Sequence, residues 1–237
     1  MLKTILFAIC YVFYMLFLEI KHLKYMIVKK VKGEEAAERY VRKVALKWAK
    51  FTIRSVGIDL EVRGQDNLID EVCLFVSNHQ SNLDIPTTMV ATNRVMGFIS
   101  KKELEKIPVL SGWMKRINSV FMDRENIREA VKSINEGVEI LRNGHSLAIF
   151  PEGTRSKGGP VGDFKKGSLK LALKSQVPII PVTLDGTYKS LEEHNRIKKS
   201  RVIVTIHEPI YVKELPKEKQ NTLANDIREI IASGIQK

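Results

Sequence analysis

The sequence has little cysteine and lacks the short glycine motifs that mark several large enzyme classes. Two cysteines, Cys10 and Cys73, occur among the 237 residues. They provide neither a metal-binding spacing nor a disulfide framework, so we interpret both as buried thiols in a reducing compartment. The absence of G-x-G-x-x-G and of G-x-S-x-G argues against a dinucleotide-binding turn and against a serine nucleophile on a strand-to-helix elbow.

Positive charge is unevenly distributed along the chain. Lysine and arginine number 39 against 27 aspartate and glutamate, which gives a net charge of +12. Residues 1–55 hold 12 basic and 4 acidic side chains and so carry +8 of this charge. The remainder shows no basic face with interleaved aromatic side chains, and we therefore predict no nucleic-acid partner.

The first residues of the chain form an apolar run. Fifteen uncharged residues, 4–18, follow Lys3 and end at Glu19. As a helix this run rises about 22 Å, which is less than the roughly 30 Å hydrocarbon core of a bilayer. No small-x-small cleavage site follows it. We therefore expect a retained membrane segment that is half-inserted into the phospholipid rather than spanning.

A basic amphipathic helix is predicted next, over about 34–55. Apolar and aromatic residues, among them Tyr40 and Trp48, repeat there at three- and four-residue spacing, while arginines and lysines occupy the other faces. Such a helix suits the surface of anionic lipid, although it could also pack on the globular domain with its charges facing water. Lysines directly after the apolar run predict that the rest of the chain lies on the cytoplasmic face of the cell membrane. We therefore divide the chain into membrane-anchoring helices, 1–56, and a globular domain, 57–237.

The globular domain alternates strand-like and helical patterns. Short apolar, β-branched runs predict strands at 58–64, 71–77, 95–100, 119–123, 146–150, 177–184 and 201–212. Helical patterns occur at 84–93, 126–144, 167–176 and 216–233. This alternation predicts an α/β fold in which helices cover a mixed, mostly buried central sheet.

Two polar segments directly follow predicted strands, and strand ends are where α/β sheets usually bind ligands. In the first, SNHQSNLD (77–84), His79 precedes Asp84 by five positions. A tight turn can bring the carboxylate onto one imidazole nitrogen, which leaves the other nitrogen free to take a proton from a substrate hydroxyl. Taken alone, the same pattern also fits a helix-capping aspartate beside an ordinary turn histidine.

The second segment is FPEGTRS (150–156). Its glycine lets a backbone N–H approach a ligand, and its hydroxyls with Arg155 suit a phosphate group. Glu152 is a candidate for orienting Arg155 or a substrate group. A charged surface loop also explains this segment on its own, but a base and a phosphate site on a membrane-attached domain together indicate transfer onto a phospholipid precursor.

Four ordered segments resemble the glycerolipid acyltransferase family, and within it the 1-acyl-glycerol-3-phosphate acyltransferases. They are NHQSNLD, INSVFMDR (117–124), FPEGTRS and VPIIPV (177–182). The resemblance extends over residues 58–210. One departure is Asn118, where the family more often has glycine.

The resemblance implies a set of site residues and a reaction. His79 would be the general base and Asp84 its partner. The implied substrate-binding residues are Lys101, Lys102, Arg124, Glu152, Gly153, Thr154 and Arg155, with the arginines and lysines recognising phosphate. The implied reaction transfers a fatty acyl group from acyl-CoA or acyl carrier protein to the 2-hydroxyl of lysophosphatidic acid, giving phosphatidic acid without a metal or cofactor.

Three alternatives remain open on the sequence. The same motifs would serve acylation of glycerol-3-phosphate or another lysophospholipid. A metal-dependent hydrolase could use His79 and Asp84 as ligands, but a third ligand is missing, because His145 and Pro151 lie at opposite ends of a short strand, about 17 Å apart. A catalytically silent membrane-binding module is the third alternative.

Overall fold

The computed structural model describes residues 1–236, and its first element is a long helix with one sharp bend. Helix α1 (Leu2–Val56) is interrupted at Gly33, whose φ of 82° and ψ of 178° are not helical. Glycine adopts this positive φ readily because it has no Cβ. The predicted apolar run, 4–18, is therefore only the first part of a helical arm that continues to the bend.

The two arms of α1 lie antiparallel and differ in exposure. Tyr14 stacks on Phe51 with ring centroids 4.0 Å apart, and Trp48 Nε1 donates a hydrogen bond to the Tyr11 hydroxyl at 3.1 Å. The outer side of the first arm exposes large apolar residues along its length, including Leu2, Ile5, Leu6, Ile9, Val12, Phe13, Leu16, Ile20, Leu23 and Ile27. By length and composition this helix could cross a membrane.

The two cysteines differ in their surroundings. Cys10 is exposed on the first arm of α1, so the prediction of a buried thiol was wrong for this residue. Cys73 is buried directly before a central strand, and its burial raises the pKa of the thiol to about 11.

Seven strands form one sheet in the order β1-β7-β6-β2-β5-β3-β4. The strands are β1 (Ile58–Arg63), β2 (Leu74–Ser77), β3 (Gly97–Lys101), β4 (Val120–Met122), β5 (Leu147–Ile149), β6 (Ile179–Asp185) and β7 (Ser200–Ile206). Neighbouring strands are parallel, except that β6 and β7 are antiparallel. The mixed, mostly buried sheet predicted from the sequence is confirmed.

Helices cover both faces of the sheet. One face is covered by α4 (Ile127–Arg142), α5 (Lys170–Ser175) and α6 (Lys217–Ser233), which bury Val138, Leu171 and Ile227 against it. The opposite face is covered by α2 (Asp84–Ala91) and the second arm of α1, through Met89 and Ala49. Helix α3 (Leu110–Arg116) packs Trp113 against both arms of α1. This layering brings the carboxyl ends of β2, β3, β4 and β5 to one edge.

Two elements differ from the sequence prediction. Helix α3 was not predicted, because its seven residues are too short for a clear helical period. The last strand ends at Ile206 instead of residue 212. Pro209 has no N–H to donate, and Ile210 then restores a single antiparallel bridge to Ile179.

Asn118 lies in the turn between α3 and β4. Its φ of 60° is in the left-handed region, which glycine adopts without strain and which asparagine tolerates better than most residues. The departure from glycine at this position therefore preserves the turn that leads into β4.

Candidate active site

His79 lies in a short loop, residues 78–83, between the end of β2 and the start of α2. Its Nδ1 is 2.7 Å from Asp84 Oδ2, and the imidazole stacks on Phe150 at 4.2 Å between ring centroids. A carboxylate oxygen only accepts, so Nδ1 carries the proton and Nε2 keeps its lone pair. The Asp84 side chain is fully buried, whereas 17% of the His79 side chain is exposed.

Asp84 accepts three further hydrogen bonds. Oδ2 accepts from the backbone N–H groups of Gln80 at 2.7 Å and Ser81 at 2.9 Å. Oδ1 accepts from the Thr187 hydroxyl at 2.5 Å. These bonds fix the carboxylate, which in turn fixes the imidazole tautomer and orientation.

Two amide side chains of the His79 loop, those of Asn78 and Gln80, tie it to the end of β6. Asn78 both donates to the Leu184 carbonyl and accepts from the Leu184 N–H, each at 2.8 Å. Gln80 Oε1 accepts from the Gly186 N–H at 2.9 Å. No role was predicted for these amides, because their partners lie about a hundred residues away and leave no local pattern.

Glu152 supports His79 from the opposite side. Its Oε1 accepts from the His79 backbone N–H at 2.7 Å, and its Oε2 accepts from the Gly162 N–H at 2.9 Å. Burial raises the pKa of this carboxyl above its ordinary value, although the two N–H donors oppose the rise. These contacts make Glu152 a positioning residue for His79. The substrate contact expected of it stays a prediction.

Arg155 pairs with Glu192, not with Glu152. Arg155 Nη1 is 3.3 Å from Glu192 Oε1, and the Glu192 side chain is only 7% exposed. The same carboxylate accepts from the Ser81 hydroxyl at 2.6 Å and from the Asn82 N–H at 3.0 Å. Glu192 thus joins the predicted phosphate-binding arginine to the His79 loop. It was missed on the sequence because it sits in a short charged run, LEEHNR (191–196).

The other predicted cations lie at the same edge of the sheet. Arg124 donates to the carbonyl of Gly153, whose φ of 73° is left-handed. Lys101 pairs with Glu103 at 2.8 Å, and Lys102 pairs with Asp123 at 3.3 Å. Thr154 is exposed in the loop that carries Arg155. The structure therefore brings Arg124 to the loop of Gly153, while both lysines are exposed and form surface ion pairs, which contribute little stability.

A metal centre was the other chemistry considered for His79 and Asp84. Within residues 1–236, no group of three or more His, Cys, Asp or Glu side chains is arranged to hold a metal ion. His145 lines a surface pocket with Asp70 and Glu71 instead.

Comparison with known proteins decides the family. The sequence model of the acyltransferase family matches residues 59–185, more than half of the chain. The chain belongs to the acyltransferase family. Its fold is similar to that of a solved acyltransferase, the 1-acyl-sn-glycerophosphate (LPA) acyltransferase PlsC of Thermotoga maritima, with 32% identity and a TM-score of 0.84. The match covers 98% of this chain and 93% of that one.

Curated relatives are similar in sequence to this acyltransferase over most of its length. A chloroplastic 1-acyl-sn-glycerol-3-phosphate acyltransferase of Brassica napus is 36% identical over 206 residues, which is 84% of this chain and 58% of that protein. The 1-acyl-sn-glycerol-3-phosphate acyltransferase of Saccharomyces cerevisiae is 32% identical over 178 residues, 73% of this chain and 59% of that protein. The chain therefore spans little more than half the length of these relatives.

This acyltransferase also has an apolar cavity of about 330 Å³ beside the His79 loop. Both arms of α1, together with α2 and α3, form its walls, which include Tyr11, Met15, Trp48, Ile85, Trp113 and Met114. Asn82 of the His79 loop also lines it. The cavity was not predicted, because it depends on how the bend at Gly33 returns one arm of α1 along the other.

Proposed function

We propose that this acyltransferase moves a fatty acyl group from a thioester to the 2-hydroxyl of lysophosphatidic acid, giving phosphatidic acid. The observation that carries the proposal is the His79–Asp84 pair, in which a fully buried carboxylate lies 2.7 Å from Nδ1 of a partly exposed imidazole. The names of the similar proteins, which are 1-acyl-sn-glycerol-3-phosphate acyltransferases, support the choice of acceptor.

In the proposed mechanism, His79 moves one proton in two steps. Nε2 accepts the proton of the 2-hydroxyl as that oxygen attacks the thioester carbonyl carbon. Asp84 stabilises the imidazolium that forms. The carbon–sulfur bond then breaks, the thiolate takes the proton from Nε2, and His79 returns to its neutral form. The substrate supplies the nucleophile, and the scheme uses no metal and no cofactor.

We assign phosphate recognition to the cations around the loop that follows β5. Arg155 lies in this loop with its guanidinium beside Glu192, and Arg124 donates to the Gly153 carbonyl of the loop. Lys101 and Lys102 lie at the ends of neighbouring elements. A guanidinium fork matches the geometry of phosphate oxygens. Glu192 holds Arg155 in place before the substrate arrives.

We further propose that the apolar elements serve the lipid parts of the reaction. The cavity between α1, α2 and α3 accommodates a fatty acyl chain. The exposed apolar side of the first arm enters the cytoplasmic leaflet of the cell membrane. Because the second arm packs on the domain and holds the first arm alongside it, we expect the first arm to enter one leaflet rather than cross the bilayer.

The proposal is tested by replacing the base. His79→Ala should abolish transfer to lysophosphatidic acid with the fold intact, because general-base catalysis typically supplies about 10²–10⁴-fold. The measurement is turnover with radiolabelled acyl donor at saturating substrates, with the thermal unfolding midpoint of both proteins recorded. A variant that keeps more than about a tenth of the wild-type rate would show that His79 is not the base.

Three controls accompany this assay. The activity of Asp84→Asn should also fall by orders of magnitude, because a neutral amide lacks the charge that stabilises the imidazolium. Glycerol-3-phosphate replaces lysophosphatidic acid in a parallel reaction. Faster turnover with glycerol-3-phosphate would make it the acceptor instead. Activity should persist in EDTA, and its loss on chelation would favour a metal-dependent reaction.

A further inference from the structure

A second concave surface lies on the face of the sheet opposite to α1. This α4–α5 groove has a volume of about 260 Å³ and is formed by Ile127, Val131, Ile134, Lys165, Lys170 and Lys174. One wall is the first half of α4, and the other is α5 with the residues before it. It is separated by the sheet from the apolar cavity beside α1.

The groove exposes apolar side chains that a soluble surface would ordinarily bury. Ile127 is 82% exposed and Val131 is 52% exposed, although both lie on a helix whose inner side packs in the core. Outside α1 such exposure of large aliphatic residues is confined to a few positions among the described residues. Adjacent exposed aliphatic residues that line a concave surface indicate a ligand or partner.

One end of the groove reaches the proposed base. Phe150, Pro151 and Gly153 line this end. Phe150 is the ring on which the His79 imidazole stacks at 4.2 Å. A molecule lying in the groove would therefore have one end close to the atoms that react.

The rim of the groove is cationic. Lys165, Lys170 and Lys174 are exposed, and none of them forms an ion pair with any residue between 1 and 236. Lys174 instead donates to Asn135 Oδ1 at 2.9 Å across the groove. Asn135 follows Ile127 by eight residues, which along a helix is about 12 Å. The groove thus leads from Phe150, where Arg124 and Lys165 also line it, to Lys174 at its other end.

We propose that the α4–α5 groove binds the phosphopantetheine arm of the acyl thioester, with Lys170 and Lys174 at its phosphate. This inference rests on the proposed function, because it takes a thioester as the donor. The arm is extended, ends in the reacting sulfur and carries a phosphodiester at its other end, which matches the course of the groove from Phe150 to the exposed lysines on α5. Coenzyme A and acyl carrier protein both contain this arm. Arg124, which we assign to the acceptor phosphate, lines the Phe150 end of the groove, so donor and acceptor would meet there beside His79.

The proposal is tested with the double variant Lys170→Glu/Lys174→Glu. The KM for the thioester should rise about tenfold or more, since each charge-assisted contact to phosphate is replaced by repulsion. The KM for lysophosphatidic acid and kcat at saturating donor should stay unchanged. Parallel assays use palmitoyl-CoA and palmitoyl acyl carrier protein as donors. The donor whose KM rises in the variant is the one that binds in the groove. Lys217→Glu/Lys219→Glu on α6 is the matched control and should change neither KM.

A second measurement separates this inference from the proposed function. Binding of free coenzyme A or holo acyl carrier protein, whichever the wild-type enzyme uses, needs neither acceptor nor turnover and should weaken by a similar factor. Failure of the wild-type protein to acylate lysophosphatidic acid would refute the function, whereas unchanged donor KM and unchanged binding would refute the groove assignment. A rise in the KM for lysophosphatidic acid alone would make the groove an acceptor site. Loss of binding to phosphatidylglycerol vesicles with normal donor KM would make it a membrane contact.

Discussion

Three buried or nearly buried carboxylates hold the backbone of the His79 loop. The N–H of His79 bonds to Glu152, the N–H groups of Gln80 and Ser81 bond to Asp84, and the N–H of Asn82 bonds to Glu192. Each charge-assisted hydrogen bond of this kind contributes about 1.5–3 kcal/mol. The conformation that presents the imidazole is therefore fixed by side chains from three different parts of the chain.

Arg155 is a proposed phosphate-binding residue that also contacts Glu192, one of the supports of the His79 loop. We expect Arg155→Ala to raise the KM for lysophosphatidic acid about ten- to a hundredfold, because a charge-assisted contact to phosphate is worth about 1.5–3 kcal/mol. The KM for the thioester should change little. Steady-state kinetics with each substrate varied in turn give both constants.

Arg155→Lys serves as the control, because it keeps the positive charge but not the planar guanidinium fork. Its KM for lysophosphatidic acid should lie between those of the wild type and Arg155→Ala. Glu192 also binds Ser81 and Asn82, so loss of Arg155 could disturb the loop itself. In that case both KM values and kcat would worsen together, and Arg155 would be structural.

The sequence predicted the close pair of this site but not its distant supports. His79 and Asp84 are five residues apart at a strand exit, and a tight turn is sufficient to join them. Thr187 and Glu192 lie more than a hundred residues further on, and they reach the loop because β6 is the neighbour of β2. Strand order is set by the packing of the whole sheet, which no local pattern encodes.

At the scale of elements, helix α1 joins two segments that the sequence predicted separately, the apolar run and the basic amphipathic helix. Its second arm packs on the sheet through Ala49, and its first arm packs on the second through Tyr11 and Tyr14. Periodicity predicted an apolar run and an amphipathic helix. It did not predict that the arms fold together, since the bend depends on the positive φ of the single residue Gly33.

Phe13 provides a test of the outer side of the first arm. It is 68% exposed and faces away from the second arm. Phe13→Asp should weaken binding to phospholipid vesicles about tenfold or more, because burial of a phenylalanine side chain is worth about 1.5–3 kcal/mol. The free energy of unfolding in detergent should stay the same. Vesicle cosedimentation measures the partition.

Tyr211 offers a matched control, because it is a 38% exposed aromatic residue on the other side of the molecule. Tyr211→Asp should leave vesicle binding unchanged. If Phe13→Asp binds vesicles as the wild type does, the first arm of α1 is not the membrane contact.

At the scale of the whole molecule, His207 joins three elements around β6. It follows β7 directly, and its Nε2 lies 2.8 Å from the Thr183 hydroxyl on β6. That hydroxyl donates to the Ile231 carbonyl of α6 at 2.7 Å. Burial lowers the pKa of His207 below its ordinary value of 6.5. The folded protein thus favours the neutral imidazole.

This burial predicts a loss of stability in acid. Between the lowered pKa of the folded state and 6.5, the unfolded state binds more protons, so the free energy of unfolding falls as the pH falls through that window. Above 6.5 the contribution is constant. His207→Gln should reduce the loss on acidification. Urea denaturation above and below pH 6.5 measures it in both proteins.

The His207→Gln variant must be compared with the wild type because Glu152 has the opposite effect on the pH dependence of stability. Its raised pKa means that the folded state takes up a proton before the unfolded state does as the pH falls, which adds stability in acid. The difference between the two proteins removes this common contribution. An identical pH dependence in both would show that His207 does not contribute.

The hydrogen bonds that hold the His79 loop limit which groups can donate hydrogen bonds to the transition state. When the hydroxyl oxygen attacks, negative charge collects on the former carbonyl oxygen, and preorganised donors aimed at that oxygen lower the barrier. From His79 to Leu83, five consecutive backbone N–H groups already have acceptors: Glu152, Asp84 twice, Glu192 and the Ser81 hydroxyl. These five backbone N–H groups of the His79 loop therefore already bond within the protein, where they hold the conformation of the loop. We therefore expect the oxyanion to be stabilised by donors other than these five backbone N–H groups.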